Sequence, residues 1–377
     1  MSSSMISIGM DVHKDTVMLA VYIDDSREPE IVQQLPNDHR KLKRFFERWS
    51  RRGEVRSCYE ASGAGYVLHR EITEWGYDCD VVAPSLTPIR PGEHRKHDRR
   101  DAIHLARLYR AGELVTIRIP SPAEERVRDL VRCRQCFQRE ILRSRHYVTK
   151  FLTRRGFVFR EASAWTRKHR RWLESLLHEG HLEPEDRWVF GEYLALLDYK
   201  ISRRDDMDEQ IEKLALRPAY KPFVDRLRCF RGINTLAAMT LSTEIGDWRR
   251  FERPTQLMAF LGLVPSEHSS GDRQRKGPIT KAGNSRCRHV LVQAAWKYRH
   301  RPAVGVDLEK RQRGQPPHVI AHAWKAQHRL YKLYHRIAAR KSNQIAAVAA
   351  ARELVGFLWA VMQELETEHA TSLSAAA

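Results

Sequence analysis

The chain has 377 residues, 42% of them hydrophobic, enough for two or three packed domains. Lys and Arg number 66 against 47 Asp and Glu, a formal excess of +19, which points to a polyanionic partner, most simply nucleic acid. No run of about eighteen apolar residues is apparent, so no membrane span is predicted; the N-terminus lacks the apolar stretch of a signal peptide, and six cysteines imply a reduced, cytoplasmic setting.

In chain order, Ile6 to Val12 alternates and reads as a strand ending near Asp11. After a turn at His13-Lys14-Asp15 come a second strand, Thr16 to Ile23, and a shorter third, Glu30 to Leu35. Residues 38–51 read as a helix. Glu54 to Glu60 reads as a fourth strand, Tyr66 to Trp75 as a helix ended by Gly76, and Cys79 to Val82 as a fifth strand stopped by Pro84. A three-stranded meander followed by two strands joined through a helix is the order of an RNase H-like layer fold. In that fold the first strand lies beside the fourth, and a carboxylate at the end of each meets the other at one sheet edge. Asp11 and Glu60 hold those positions.

Pro88 and Pro91-Gly92 lead into Asp98-Arg99-Arg100-Asp101. Asp98 and Asp101 share one face of a helix, where like charges are unfavourable without a cation between them. Magnesium takes hard carboxylate oxygens, and two such ions about 3.5–4 Å apart suit in-line phosphodiester displacement. The alternative is a solvated helix start whose aspartates pair with Arg95, Arg99 and Arg100 and favour the helix dipole. His94, His97 and His104 are the competing ligands.

Ser121-Pro122 opens a helix predicted to reach about Thr153. Val127, Leu130, Phe137, Ile141, Val148 and Phe151 form its seam, interrupted by Arg134 and Ser144. A second stripe, Phe190, Leu194, Leu197, Ile201, Ile211 and Ala215, is broken by Arg204 and Asp208. These are core-facing helices or the legs of an antiparallel coiled coil. Cys133 and Cys136 fall inside the first helix and read as helix-face packing. Trp165 to Trp172 interleaves aromatics with cations, suiting base stacking or a solvated basic helix. Gly232-Ile233-Asn234 before Thr235 to Ile245 looks like half of a helix-hairpin-helix, whose turn amides can hold a phosphate.

Gly262 to Pro265, Ser269-Ser270-Gly271 and Lys276 to Asn284 read as a glycine-punctuated loop carrying two serines. Arg273, Arg275, Lys276, Lys281, Arg286 and Arg288 surround it with positive charge. That field suits a hydroxyl attacking a phosphodiester, because cations stabilise charge on the transferring phosphoryl group. The alternative is a phosphate-binding loop whose serines only cap the next turn. Helices follow over 284–300, about 317–340 and 343–365, and Thr371 to Ala377 reads as disordered.

Four blocks carry a resemblance. They are Gly9 to Lys14; Tyr59 to Gly63 with Val81 to Ser85; Lys96 to Ala102; and a C-terminal set of Phe230 to Ile233, Ala259 to Pro265, Ser269 to Gly271 and Ile279 to Asn284. In this order they resemble the DEDD transposases of bacterial insertion sequences, insertion-sequence family 110, over roughly residues 5–135 and 222–300. The resemblance implies an α/β plus α chain: a RuvC-like (RNase H-like) catalytic domain at 1–155, a helical coiled-coil region at 156–216, a mainly helical transposase domain at 217–366, and a disordered tail at 367–377. It implies that Asp11, Glu60, Asp98 and Asp101 bind magnesium, two ions in all. It further implies that a serine before the glycine forms a covalent phosphoserine link to DNA; by motif position that is Ser270, with Ser269 its neighbour. Arg273, Arg275, Lys276, Lys281, Asn284 and Arg288 are the expected nucleic-acid contacts. The expected partners are donor and target DNA, an element-encoded guide RNA, and further copies of the chain in a homodimer or homotetramer. His97 stands where threonine is commoner, and Cys287 where leucine is usual.

Two other readings fit the residues. A RuvC-like nuclease would use metal-activated water and leave no covalent adduct. A non-catalytic RNA- or DNA-binding protein would bind regardless of magnesium. An actin-like ATPase also begins with a strand ending in Asp, but it wants glycine-rich loops where His13-Lys14 stands.

Overall fold

The computed structural model describes residues 4–88, 97–178, 180–270 and 273–376, with only the backbone of 268–270, 273–276 and 368–376. The chain divides into two compact units, Met1–Pro120 and Ser121–Ala377.

The first unit is a mixed α/β layer. Its strands are β1 (Ser4–Val12), β2 (Thr16–Ile23), β3 (Ile31–Pro36), β4 (Gly53–Glu60) and β5 (Asp78–Val82). They form one sheet in the order β3-β2-β1-β4-β5. β2 pairs antiparallel with β1 and β3, whereas β4 runs parallel to β1 and β5. Each strand lies within a residue or two of its predicted span, because the alternation is strong. Ile6, Ile8 and Met10 point to one face, with Val17, Leu19 and Val21 beside them. That face is covered by α1 (His39–Ser50) and α2 (Val67–Glu74), through Leu42, Phe46, Trp49, Leu68 and Ile72. Each such buried side chain contributes about 1.5–3 kcal/mol. The side chain of Asp38 caps α1 by accepting from the Lys41 amide at 2.9 Å.

The opposite face carries α3 (Asp98–Arg110), whose Ala102 and Ala106 pack on Ala20 and Tyr22. Small residues let the helix lie close. A Cβ on Gly9 would sit 2.3 Å from the Ala106 nitrogen and 2.5 Å from the Ala102 oxygen.

The second unit is mostly helical. It contains α4 (Pro122–Thr153), α5 (Arg167–His178), α6 (Pro184–Ala215), α7 (Lys221–Arg228), α8 (Thr235–Ile245) and α9 (Pro254–Phe260). A hairpin of β6 (Pro265–Ser270) and β7 (Arg273–Ile279) follows, then α10 (Ser285–Ala295), a 3-10 turn at Trp296–Arg299, α11 (Val306–Gln312), α12 (Pro317–Ala338) and α13 (Asn343–Ala376). Ser121 and Glu124 close a capping box at the start of α4.

α4 and α6 run antiparallel: Arg134 meets Asp208, Ser144 meets Lys200, and Phe151 stacks on Phe190. The residues that interrupt the apolar seams are thus paired across it. Arg134 donates to both Asp208 oxygens at 2.6 and 2.9 Å, and Lys200 donates to the Ser144 hydroxyl at 3.0 Å.

Two expectations change. The serine-bearing loop is a β-hairpin, with Ser269 opposite Gln274 and Ser270 opposite Arg273. Its strands are polar and poor in β-branched residues, so alternation gives no strand signal. The expectation that no apolar run is long enough to span a membrane is also corrected: Asn343–Thr367 passes on length and composition, at mean hydropathy 1.7. Half of that window is buried within the protein, against α7, α9, α10 and α12. Many small alanines make up the run, which hides it. The tail from Thr371 lies where only backbone, or in the case of residue 377 nothing, is described.

Candidate functional site

Parallel pairing of β1 with β4 sets the first half of the site. Met10 lies opposite Tyr59, so Asp11 and Glu60 are the next residues at the same end of neighbouring strands. α3 brings the third acid. Ala102 and Ala106 lie over Gly9, and Asp98 is one helical turn before Ala102 on the same stripe. Four helical residues advance about 6 Å, and two strand residues about 6.6 Å. The step from Ala102 back to Asp98 therefore matches the step from Gly9 to Asp11. Asp98 and Asp101 both lie in the first turn of α3, where the helix dipole favours carboxylates.

The donor atoms that converge are those of Asp11, Asp98 and His13, all within 4.8 Å of one another. His13 Nε2 is 3.3 Å from Asp11 Oδ2 and 3.5 Å from Asp98 Oδ2. Both Asp11 Oδ2 and His13 Nε2 are buried atoms without a hydrogen-bond partner among the described residues. Orphaned donors aimed at one point fit a bound divalent cation. Glu60 is outside this tight group but lines the same cavity of about 820 Å³ as Asp11 and His13. Asp101 is half-buried in the first turn of α3 and is likewise not among the converging atoms.

His13 is not among the expected ligands. Its signal is present in the sequence: it is two residues past Asp11, on the same side of an extended chain. Its turn is fixed by Asn37, whose Nδ2 donates to the carbonyls of His13 (3.0 Å) and Lys14 (3.3 Å). Of the histidines weighed as ligands, His104 bonds through Nε2 to the Pro88 carbonyl at 2.6 Å, His97 is the exposed N-cap of α3, and His94 lies outside the described residues. A set of two carboxylates and an imidazole accepts manganese more readily than an all-oxygen set does. His13→Ala is therefore expected to weaken Mn²⁺ binding on the order of tenfold, and Mg²⁺ binding less, measured by calorimetric titration.

The C-terminal motif is placed differently. Gly262 and Gly283 both have positive φ, and a Cβ on either would lie 2.0 Å from the Ala282 or Phe260 oxygen, respectively. These glycines let two backbone segments touch. Asn284 caps α10, accepting from the Arg286 and Cys287 amides at 3.0 Å each. Arg288 Nη1 donates to the Leu261 carbonyl at 2.9 Å. Both side chains, expected to contact nucleic acid, are engaged within the protein. Lys281 is exposed, with φ of 56°. The side chains of Ser269, Ser270, Arg273, Arg275 and Lys276 lie outside the described ones.

Asn284 also donates to Glu244, at 2.8 Å. The Glu244 side chain is 1% exposed and takes a two-pronged bond from Arg132 at 2.7 and 2.8 Å. Burial pushes its carboxyl up, but the Arg132 bonds and charge and the Asn284 bond outweigh that and hold it below the usual range. A lowered folded pKa gives stabilisation that is complete above the unfolded value of 4.5 and lost as pH falls below it. Arg132→Met should cost about 3 kcal/mol near neutral pH in denaturant titrations, because a buried charge loses its main partner, and the deficit should shrink below the carboxyl range.

In the Trp165–Trp172 stretch the two indoles are half-buried, while Thr166, Arg167, Lys168 and Arg171 are exposed. Trp165 packs edge-on against His169 at 5.0 Å with the Arg145 guanidinium over its ring at 5.1 Å, and Trp172 meets Phe159 at 5.3 Å. These rings belong to the core of α4, α5 and α6.

Residues 8–155 match the DEDD transposase family of IS110 elements, and residues 224–305 match the IS116/IS110/IS902 transposase family. The chain is 40% identical over 308 residues to y4qE of Sinorhizobium fredii (strain NBRC 101917 / NGR234), named as a transposase, covering 81% of this chain and 75% of that one. It is 29% identical over 343 residues to the transposase for insertion sequence element IS1533 of Leptospira borgpetersenii, covering 89% and 97%. The chain belongs to the IS110 family of DEDD transposases.

Proposed function

We propose that this chain is the recombinase of an insertion sequence, cutting and rejoining DNA through carboxylate-held divalent cations and a serine–DNA intermediate. The observation that carries the reading is the convergence of Asp11, Asp98 and His13 at one sheet edge, with Glu60 in the same cavity. On this reading the first unit is RuvC-like, and Asp11, Glu60, Asp98 and Asp101 hold magnesium, two ions, with His13 as an added donor. Magnesium supplies charge neutralisation at the scissile phosphate. The carboxylates fix where that charge sits, two of them in the first turn of α3.

Ser270 acts as the nucleophile, with Ser269 as its neighbour. Its hydroxyl oxygen bonds to phosphorus as the bond to the departing deoxyribose oxygen breaks, and the hydroxyl proton leaves for that oxygen by way of solvent. The phosphoserine ester keeps the bond energy for rejoining. Arg273, Arg275, Lys276 and Lys281 supply positive charge along the strand. The proposed domains are 1–155, catalytic; 156–216, a coiled-coil arm shared with the antiparallel α4 and α6; and 217–366, serine-bearing. A homodimer or homotetramer, guided by an element-encoded RNA, acts on donor and target DNA; the charge of +19 permits polyanionic partners.

The test is a covalent adduct assay with labelled element-end DNA. Wild-type chain and Ser269→Ala are expected to form an adduct that survives denaturation, and Ser270→Ala none. Cleavage without any adduct would move the reading to a water-using nuclease; an adduct lost only in Ser269→Ala would move the nucleophile by one residue.

A further inference from the structure

Ser285, His289, Gln293 and Lys297 recur every four residues along α10 and the 3-10 turn after it, so they form one stripe. Gln135 and Arg139 stand in the same relation on α4. These two stripes wall a cleft of about 500 Å³ whose apolar lining includes Leu236 and Ala237 of α8 and Val290. Gly232, with φ of 87°, allows the turn before α8 to press on α10: a Cβ there would lie 2.6 Å from the Ala294 oxygen.

The cleft's charges fall into two groups. Arg134 is held by Asp208, and Arg286 by Gln135 at 3.1 Å and by Glu244 at 3.6 Å, so both shape the wall. Arg139, His289, Gln293 and Lys297 are exposed, and none has a side-chain bond within the described residues. No carboxylate lines the cleft among the described residues. Free cations, an amide on Gln293 able to donate and accept, and an apolar floor together match a sugar-phosphate chain with its bases turned in. A duplex would offer this cleft only phosphates and sugars and would leave the apolar floor without a partner.

We propose that the cleft between α4, α8 and α10 binds a short unpaired nucleic-acid strand, DNA or RNA, with Arg139 and Lys297 on its phosphates and Gln293 and His289 on its base edges. The cleft is built wholly from residues of the second unit.

The test uses the full chain in EDTA, so that strand cleavage does not enter. Binding of labelled single-stranded DNA, single-stranded RNA and duplex DNA is followed by fluorescence anisotropy over a range of salt. The double variant Arg139→Glu/Lys297→Glu is compared with Arg340→Glu/Lys341→Glu, which makes the same charge change at exposed positions at the end of α12. The cleft variant is expected to weaken single-strand binding by roughly tenfold or more beyond the control. Its salt slope should fall by about 1.4, at about 0.7 per phosphate contact, with duplex binding changed no more than in the control. A loss for DNA alone or RNA alone names the strand. Gln293→Glu, which adds a carboxylate at an exposed cleft position, should repeat the effect, and it carries the test if the double variant melts early. Equal losses in cleft and control variants, or an equal loss for duplex, would overturn the proposal.

Discussion

Replacing Asp11 by Asn is expected to reduce DNA strand cleavage by roughly a thousandfold or more, while the protein stays folded and melts no lower than wild type. The two expectations come from the same geometry. Asp11 Oδ2 is buried without a hydrogen-bond partner among the described residues, facing His13 and Asp98. Removing its charge relieves repulsion with Asp98, so the fold loses nothing. The change also removes the best-shielded anionic donor of the cluster, and such a site accelerates reaction mainly by electrostatic stabilisation of the transferring phosphoryl group. Asp98 is more exposed, at 47% of its side chain against 17% for Asp11. Asp98→Asn should therefore act in the same direction with a smaller effect. Cleavage rate and thermal melting on the same preparations separate this from simple unfolding.

Gly9→Ala is expected to damage the fold of the first unit, costing about 3 kcal/mol in denaturant titrations. The new Cβ would meet the Ala106 nitrogen at 2.3 Å and the Ala102 oxygen at 2.5 Å. Both are backbone atoms, which cannot rotate away as a side chain can. Relief requires α3 to lift from β1, and α3 carries Asp98 and Asp101. Cleavage should fall with stability, and lowering the temperature should restore less activity than folded protein, because displacement of Asp98 by about 1 Å costs up to a hundredfold. Ser7→Ala, one pleat away on the same face, leaves α3 in place and should change cleavage little. Cleavage equal to wild type in folded Gly9→Ala would show that the close approach of α3 to β1 does not position the site.

Some of this arrangement is legible in the sequence. Ile6, Ile8 and Met10 alternate with Ser7, Gly9 and Asp11, so strand, face and the position of Asp11 follow together. Asp98 and Asp101 declare a helix start by spacing alone. What is not legible depends on contacts between distant segments. His13 looks like a turn residue until α3 puts Asp98 beside it. Gly262 and Gly283 look like phosphate-approach glycines, yet their near neighbours are backbone oxygens. Trp165 and Trp172 look suited to bases, but their rings pack against His169, Arg145 and Phe159. The hairpin carrying Ser270 has almost no β-branched residues to announce it. Asn284 and Arg288 read as ligand contacts because cations and amides near glycines suit phosphate equally well as they suit a helix cap and two carbonyls.

The most direct measurement is a titration of Mn²⁺ into the EDTA-treated chain, recording bound metal and strand cleavage together, in wild type and in Asp11→Asn/Asp98→Asn. If the convergence of Asp11 and Asp98 is the catalytic metal site, cleavage in the wild type rises in step with occupancy, and the double variant loses both. Cleavage that persists in EDTA, or that survives in the double variant, would contradict it.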